Sequence, residues 1–354
     1  MRFKKVKRAG LQTTYELRAS MREIAAHAGV SLKTVSRVVN NEAGVTAETQ
    51  ERVRRAIEDL NGMRGAPAPM EGTDPAGRWI GVVLERMGEP FQSAVAESIE
   101  RVAHARGCFA MVASSQAEPE REAAIVESMM ADGAAGLILV PTAGGRYNQM
   151  LLARKQTPIV LVDRIVPETG LDTVHADNVG GASEAVSHLI ARGHRRIAFL
   201  GSETTKNPIR ERLQGYRQTL LDNGIPVDPD LIVLRSLREG MIDSALGPLA
   251  ALAAPPTAIF AASGRYAIEV VRAIHHRQPN VALVGFDDFP LSEIVMGGVT
   301  VVSQHPSATG QAAVDTLLQR LGGDVSQARK ILIGTDLIVR NSTACPPMAL
   351  SYPA

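Results

Sequence analysis

The chain of 354 residues exceeds one ordinary domain, so two or three are expected. Its 45% apolar and 21% charged residues are those of a water-soluble globular protein, and no run of about 18 apolar residues offers a membrane span. The net charge of +1 hides an asymmetry: residues 1–64 carry 13 Lys/Arg against 7 Asp/Glu, and the remainder 25 against 30, which suits a head that meets phosphate and a body that does not.

Residues 1–19 are basic (Arg2, Lys4, Lys5, Lys7, Arg8, Arg18) but lack the apolar core of a secretion signal, so the cytoplasm is the expected location. The stretch reads either as a disordered arm adding non-specific phosphate affinity or as an extension ahead of a domain that starts at Met21. Ser20 to Asn40 then reads as two short helices around a tight turn at Gly29. Ile24, Ala25 and Ala28 make one apolar stripe, and Val35, Val38 and Val39 another. Gly29 can take the positive φ that the turn needs, and Ser31 is a good N-cap for the second helix. That helix exposes Leu32, Lys33, Ser36, Arg37 and Asn40, a face that fits the major groove of DNA. Spacing alone also permits a solvated helical hairpin with two stray basic residues. A third helix fits Ala47 to Leu60, with Val45 as a staple, Thr46 as N-cap, and Val53, Ile57 and Leu60 buried.

The string AGVSLKTVSRVVN, Ala28 to Asn40, resembles the N-terminal signature of the lac repressor/galactose repressor (LacI/GalR) family, and Val45–Thr49 with Arg52-Val53 extends the match. The resemblance implies a helix-turn-helix head over 20–60 in which Leu32, Lys33 and Arg37 read base edges. Ser31, Thr34, Ser36, Asn40 and Thr46 would hold phosphates. It also implies a hinge helix over part of the Gly/Pro-rich linker 61–78 that wedges a side chain into the minor groove. Here the pattern departs: Gly62, Arg64 and Gly65 replace the usual residues, and Pro67 and Pro69 fall where the helix should run. An interior Pro costs roughly 3 kcal/mol, so an extended spacer is expected, with Met70 the candidate wedge.

From Trp79 onward apolar runs alternate with amphipathic stretches. The runs are Trp79–Leu84, Cys108–Ala113, Gly136–Val140, Pro158–Val162, Arg196–Leu200, Leu231–Leu234, Thr257–Ala261 and Val281–Phe286. Such alternation argues for βαβ units, in two lobes rather than a barrel. The resemblance extends through LVDR at Leu161–Arg164, Asp177–Ala182, His188–Ser202, Arg210–Arg217 and VGFDD at Val284–Asp288. It implies a two-lobed periplasmic-binding-protein-like α/β body over 79–341, the small all-α head before it and a tail at 342–354 after it. Lobe one would hold about 78–162 and 290–320, and lobe two about 163–289 and 321–341. The tail has no heptad pattern for a tetramer coil. Cys108 lies in an apolar run and Cys345 in the tail, with neither a disulfide framework nor metal-ligand spacing.

In parallel α/β sheets ligands bind beyond the carboxyl ends of strands. Asp163 and Arg164, and Asp287 and Asp288, stand there and suit hydroxyls or an anion. An Asp in that place equally often caps the next helix. The resemblance implies effector contacts at Arg212 and Asp287 and an aromatic lining at Phe91, with Asp163, Arg164, Asp177 and Gln304 at the pocket edge. Where most members carry Asn-Asp, this chain has Ser263-Gly264, which alters the usual pyranose grip. No G-x-S-x-G, H-E-x-x-H or Walker Gly-Lys-Ser/Thr occurs, the first βα turn lacks G-x-G-x-x-G, and His275 and His276 point apart on a helix. Neither an enzyme nor a cofactor is expected. The chain reads as a homodimeric transcription regulator, most relatives being repressors, that binds double-stranded operator DNA under control of a sugar-like or anionic effector. The second reading is a cytoplasmic small-molecule receptor with a vestigial head.

Overall fold

The computed structural model describes residues 21–39, 45–46, 49–56, 79–145, 157–167, 169–203, 207–235, 242–277 and 281–344. Asn40, the linker 61–78 with Pro67, Pro69 and Met70, the arm 1–19 and Cys345 lie outside them. The chain divides into two compact units, residues 1–73 and 74–354.

The head contains α1 (Met21–Ala28), α2 (Leu32–Val39) and α3, described over 49–56. Ile24, Val35 and Val53 are fully buried at its centre, one from each helix, with Ala25, Ala28, Val38 and Ala56 around them. Gly29 takes φ +61° in the turn, which a β-carbon would strain. Ser31 caps α2 as expected: its Oγ accepts from the Thr34 N–H at 3.1 Å.

The body carries two six-stranded sheets. β1 (Trp79–Leu84), β2 (Phe109–Ser114), β3 (Gly136–Leu139), β4 (Ile159–Val162) and β5 (Asp172–Ala176) come first. β6 (Ile197–Gly201), β7 (Ile232–Leu234), β8 (Ala258–Ala261), β9 (Ala282–Phe286) and β10 (Thr300–Ser303) follow. Then β11 (Lys330–Ile333) returns to the first sheet and β12 (Asp336–Ile338) to the second. The orders are β11-β5-β4-β3-β1-β2 and β12-β10-β9-β8-β6-β7. All pairings are parallel except β10 with β12.

Both faces of the central strands of each sheet are covered, while edge strand β2 is largely exposed. Ile80 and Val82 point into one cluster while Val83 points into another, and Ala198 and Leu200 alternate with Ile197 and Phe199 in the same way. Lobe one is flanked by α4 (Pro90–Ala105), α5 (Pro119–Ala131) and α10 (Pro306–Leu321). Lobe two is flanked by α6 (Asn178–Ala191), α7 (Asn207–Asp222), α8 (Asp243–Ala250) and α9 (Gly264–Arg277).

The chain crosses between lobes after β5, after β10 and between β11 and β12. This corrects the expected division. β5 belongs to lobe one, β10 to lobe two and β11 to lobe one. The expectation followed the chain path that the family resemblance implied, and no apolar run marked these three strands, which carry polar residues such as Asp172, His175 and Lys330. Ser342 and Thr343, read as tail, are buried against lobe two, where the Ser342 Oγ donates to the Leu283 carbonyl at 2.6 Å.

Candidate nucleic-acid interface and ligand cleft

On α2 the apolar stripe turns inward and leaves Ser31, Leu32 and Lys33 exposed, with Thr34, Ser36 and Arg37 half-buried beside them. Leu32 keeps 47% of its surface, a conspicuous apolar exposure for so small a core. The hydroxyls are pre-oriented: Ser31 and Thr34 share a bond of 2.8 Å at the start of α2, and Thr46 and Thr49 one of 2.9 Å at the start of α3. One contact had no sequence signal. Arg52 of α3 donates to the carbonyls of Ala28, at 2.8 Å, and Gly29, at 3.3 Å, and so closes the end of α1.

In the body, Asp287 follows β9 and Asp163 follows β4. Both take left-handed backbone, at φ +75° and +70°, which Asp tolerates better than most residues. Asp287 is 5% exposed; its Oδ2 accepts from the Gly264 N–H at 3.1 Å and its Oδ1 from the Gln304 amide. The absence of a side chain at Gly264 serves this approach, since a β-carbon there would lie 3.3 Å from the Asp287 Cβ. Arg212, on α7, stacks its guanidinium 3.6 Å over the Phe286 ring and reaches within 3.9 Å of Asp287. Its Nε donates to Asn178 Oδ1 at 2.9 Å and its Nη1 to the Ala262 carbonyl at 2.8 Å. Burial works against its charge, while Asp287 and Asp163 support it.

Lobe one answers with Asp163, Arg164, Glu85 and Glu89. Arg164 pairs with Glu85 and donates to the Pro141 carbonyl at 2.5 Å, and its Nε lies 3.6 Å from Asp163. Burial pushes the Asp163 carboxyl up, against the pull of Arg164 and Arg212. Glu89, just ahead of α4, is pushed up to about 7, first by burial and then by Asp287, with Arg265 opposing. Around Glu89 and Arg265 lies a cavity of about 370 Å³, lined also by Gln116 and Glu269.

Of the sequence-derived ligand residues, Asp163, Arg164, Arg212, Asp287 and Gln304 converge. The other three have local tasks. Phe91 is 8% exposed and packs in the lobe-one core. Asp177 caps α6, accepting from the Gly180 N–H at 2.8 Å. Ser263 is half-buried, and its carbonyl accepts from the Ala267 N–H in the first turn of α9. Asp288 turns away to Arg340, at 2.9 Å. The sequence reading missed Glu85, Glu89, Arg265 and Asn178. Among the described residues no group of three His, Cys, Asp or Glu is placed to hold a metal, and no helix is long and apolar enough to cross a membrane.

Comparison with known proteins places these elements in context. Residues 20–62 match the model of bacterial regulatory proteins of the lacI family, and 186–343 that of a periplasmic binding protein-like domain. The chain is 27% identical over 336 residues to the HTH-type transcriptional repressor CytR of Escherichia coli strain K12, covering 94% of this chain and 98% of that protein. With the ribose operon repressor of the same strain the identity is 26%, over 92% and 99%. Among solved structures, a complex of the transcriptional regulator CelR with cellobiose superposes with a TM-score of 0.68 at 28% identity, over 92% of this chain and all of that one. The lac repressor dimer bound to operator and the anti-inducer ONPF gives 0.66 at 25%, over 92% and 99%.

Proposed function

The chain belongs to the lacI family of bacterial regulatory proteins, and we propose that it is a repressor whose grip on operator DNA is set by a small polar metabolite bound between the two lobes. It is a DNA-binding transcription regulator, and the receptor reading with a vestigial head is not favoured. The observation that carries the reading is the α2 face: Leu32, Lys33, Ser36 and Arg37 stand on the side away from a complete three-helix core. We assign Leu32, Lys33 and Arg37 to base edges, where Arg and Lys donate to guanine O6 and N7. Ser31, Thr34, Ser36, Asn40 and Thr46 are assigned to phosphates.

A dimer reads two half-sites with two such helices. Edge strand β2 offers an apolar face for a second copy, with Phe109 60% and Met111 56% exposed. The effector meets Arg212 and Asp287 from lobe two and Asp163 and Arg164 from lobe one. It shifts operator affinity by a coupling free energy of about 1–3 kcal/mol. Among the relatives, CelR is described in complex with cellobiose, a hydroxyl-rich ligand of the kind such donors and acceptors suit.

The test is a gel shift with the intergenic DNA beside its own gene at about 0.1 M salt, where phosphate contacts are not exaggerated. Arg37→Ala is expected to weaken specific binding by about 1–3 kcal/mol and to relax selectivity. Equal affinity and selectivity in that variant would remove the assignment of α2. Calorimetry in which Arg212→Ala and Asp287→Ala both bound effector as wild type does would remove that of the cleft.

A further inference from the structure

Arg212 is held by more than the cleft. Its Nε donates to Asn178 Oδ1 at 2.9 Å, and Asn178 stands where the chain passes from lobe one to lobe two: β5 ends at Ala176 and α6 opens at Asn178. Asn178 is 2% exposed, and the other end of its amide is fixed as well. Nδ2 donates to Glu211 Oε2 at 2.9 Å and to the Ala176 carbonyl at 3.3 Å. These bonds settle the sense of the amide, since the flipped form would set Oδ1 against a carboxylate and a carbonyl and Nδ2 against a guanidinium N–H. Neither Asp nor Leu, of similar size, would serve: Asp would face Glu211 with a like charge, and Leu would leave the Arg212 Nε–H buried without an acceptor.

A second observation is independent of that bond: the three passages between the lobes are joined to one another. The Asp177 N–H of the first donates to the Ile333 carbonyl at 2.9 Å, where β11 enters the third. His305 Nε2 of the second lies 2.9 Å from Asp336 Oδ2, where the third enters β12. Gly181, in the first turn of α6, is where this hinge packs beneath the cleft. A β-carbon there would stand 2.7 Å from Thr335 Oγ1 of the third passage and 3.1 Å from the Phe286 ring, on which Arg212 stacks. The hinge is therefore one bonded unit, and the effector arginine is bonded to it.

We propose that Asn178 is the positioning residue of the effector arginine: it turns Arg212 toward the cleft and carries what happens there to the passages between the lobes. Among the described residues the hydrogen bonds of Arg212 use Nε and Nη1, so Nη2 is the donor turned to a ligand. A ligand drawn onto Nη2 pulls on a planar, rigid group, and that group is anchored at Nε to Asn178. Asn178 thus acts on the response to the effector without touching it. This deepens the cleft reading given above and rests on it.

Hydrogen exchange of the full, ligand-free chain tests the link. Asn178→Leu and Arg212→Lys should each quicken exchange of segments 174–181 and 333–338 about tenfold, while β6 and β8 at the centre of lobe two stay as in wild type. The two substitutions together should be no faster than the faster single one, because both remove one bond. Asn178→Asp combined with Glu211→Gln restores an acceptor for Arg212 and a donor at the Glu211 position, and should return exchange to within about twofold of wild type. A residue that served structure alone would give effects that add and that spread through lobe two. The proposal is overturned if Arg212→Lys leaves those segments unchanged, if the two substitutions add, or if the paired variant fails to restore exchange. Should Asn178→Leu not fold, Arg212→Lys and the paired variant decide. The result stands apart from the cleft reading, because no effector is used; that reading falls to the calorimetry of Arg212→Ala and Asp287→Ala given above.

Discussion

Gly215 lies one turn beyond Arg212 on α7, and replacing it with Ala tests how the cleft arginine is positioned. A β-carbon there would stand 2.4 Å from the Val179 carbonyl oxygen and 3.0 Å from the Ala182 Cβ, both on α6. Two effects compete. In an exposed helix Gly→Ala stabilises by about 1 kcal/mol. Against that, neither contact is the free end of a flexible side chain, so α7 must lift from α6 by roughly 1 Å to regain van der Waals distance. Overpacking of this kind costs about 1–3 kcal/mol, and more when backbone moves, so the clash wins by about 2 kcal/mol. A body of about 280 residues has an unfolding entropy of roughly 0.6 kcal/mol/K, which turns this into a fall of about 3–4 °C in melting temperature. The same lift stretches the bonds of Arg212 to Asn178 and to the Ala262 carbonyl, so the effector should bind more weakly as well. Thermal unfolding with and without effector reads both effects. A Gly215→Ala protein that melts at or above wild type with an unchanged effector response refutes the reasoning.

Three further outcomes follow from contacts outside the cleft. Asp172 is 3% exposed and receives Arg320 Nε at 2.6 Å, Arg320 Nη2 at 2.9 Å and the Arg329 N–H at 2.8 Å. Burial raises its carboxyl, but those bonds outweigh burial and hold it below the usual carboxylate range. Because the folded value is depressed, the stabilisation is present above the unfolded value near 3.9 and is lost as pH falls through the folded one. Arg320→Ala should therefore cost about 2–3 kcal/mol at pH 7, and thermal scans from pH 7 to 3 should show its deficit narrowing. Arg52→Ala should uncap α1, and hydrogen exchange of 21–39 should quicken roughly fivefold while the body is unchanged. Phe109→Glu on β2 should shift the protein toward monomer in sedimentation velocity, with the melting of its lobe little altered.

The parts of the molecule written in short-range pattern were legible beforehand. Ile24, Val35 and Val53 announce the head through helical spacing, and Gly29 and Ser31 mark its turn and cap. Eight strands were visible as apolar runs, six of them because they are buried on both faces, and the edge strands β2 and β7 by apolar composition alone. β5, β10, β11 and β12 were not. Asp172 and Thr173 open β5 with polar groups that only the distant Arg320 and Arg329 make tolerable in a buried place. Missing β5 moved the first crossing one strand too early. Arg212 and Asp287 were found through their motifs. Glu89 was not, because its surroundings come from residues distant in sequence, Asp163 of its own lobe and Asp287 of the other.

The lobes are alike in a way no local string reveals. β4 and β9 hold the same place in their sheets, third from the edge that closes with β11 or β12. Each ends in a left-handed Asp whose N–H donates at 2.9 Å to the next strand, Asp163 to Val174 and Asp287 to Val302. Two equivalent acids are thus aimed from opposite lobes at one space. A ligand held by one lobe alone would bind the open and closed arrangements equally and shift nothing, however tightly it bound. A ligand held by both acids favours closure by whatever the second contact adds. Gln304 carries this further, since it bonds Asp287 from the segment between β10 and α10, one of the three crossings. Asp287 is thus tied by one hydrogen bond to a stretch of chain that links the lobes. If the effector bridges the lobes as proposed, the coupling should fall most in Gln304→Leu, which removes the bond with both acids left in place; operator gel shifts with and without effector check this, and an unchanged effector response in that variant would refute it.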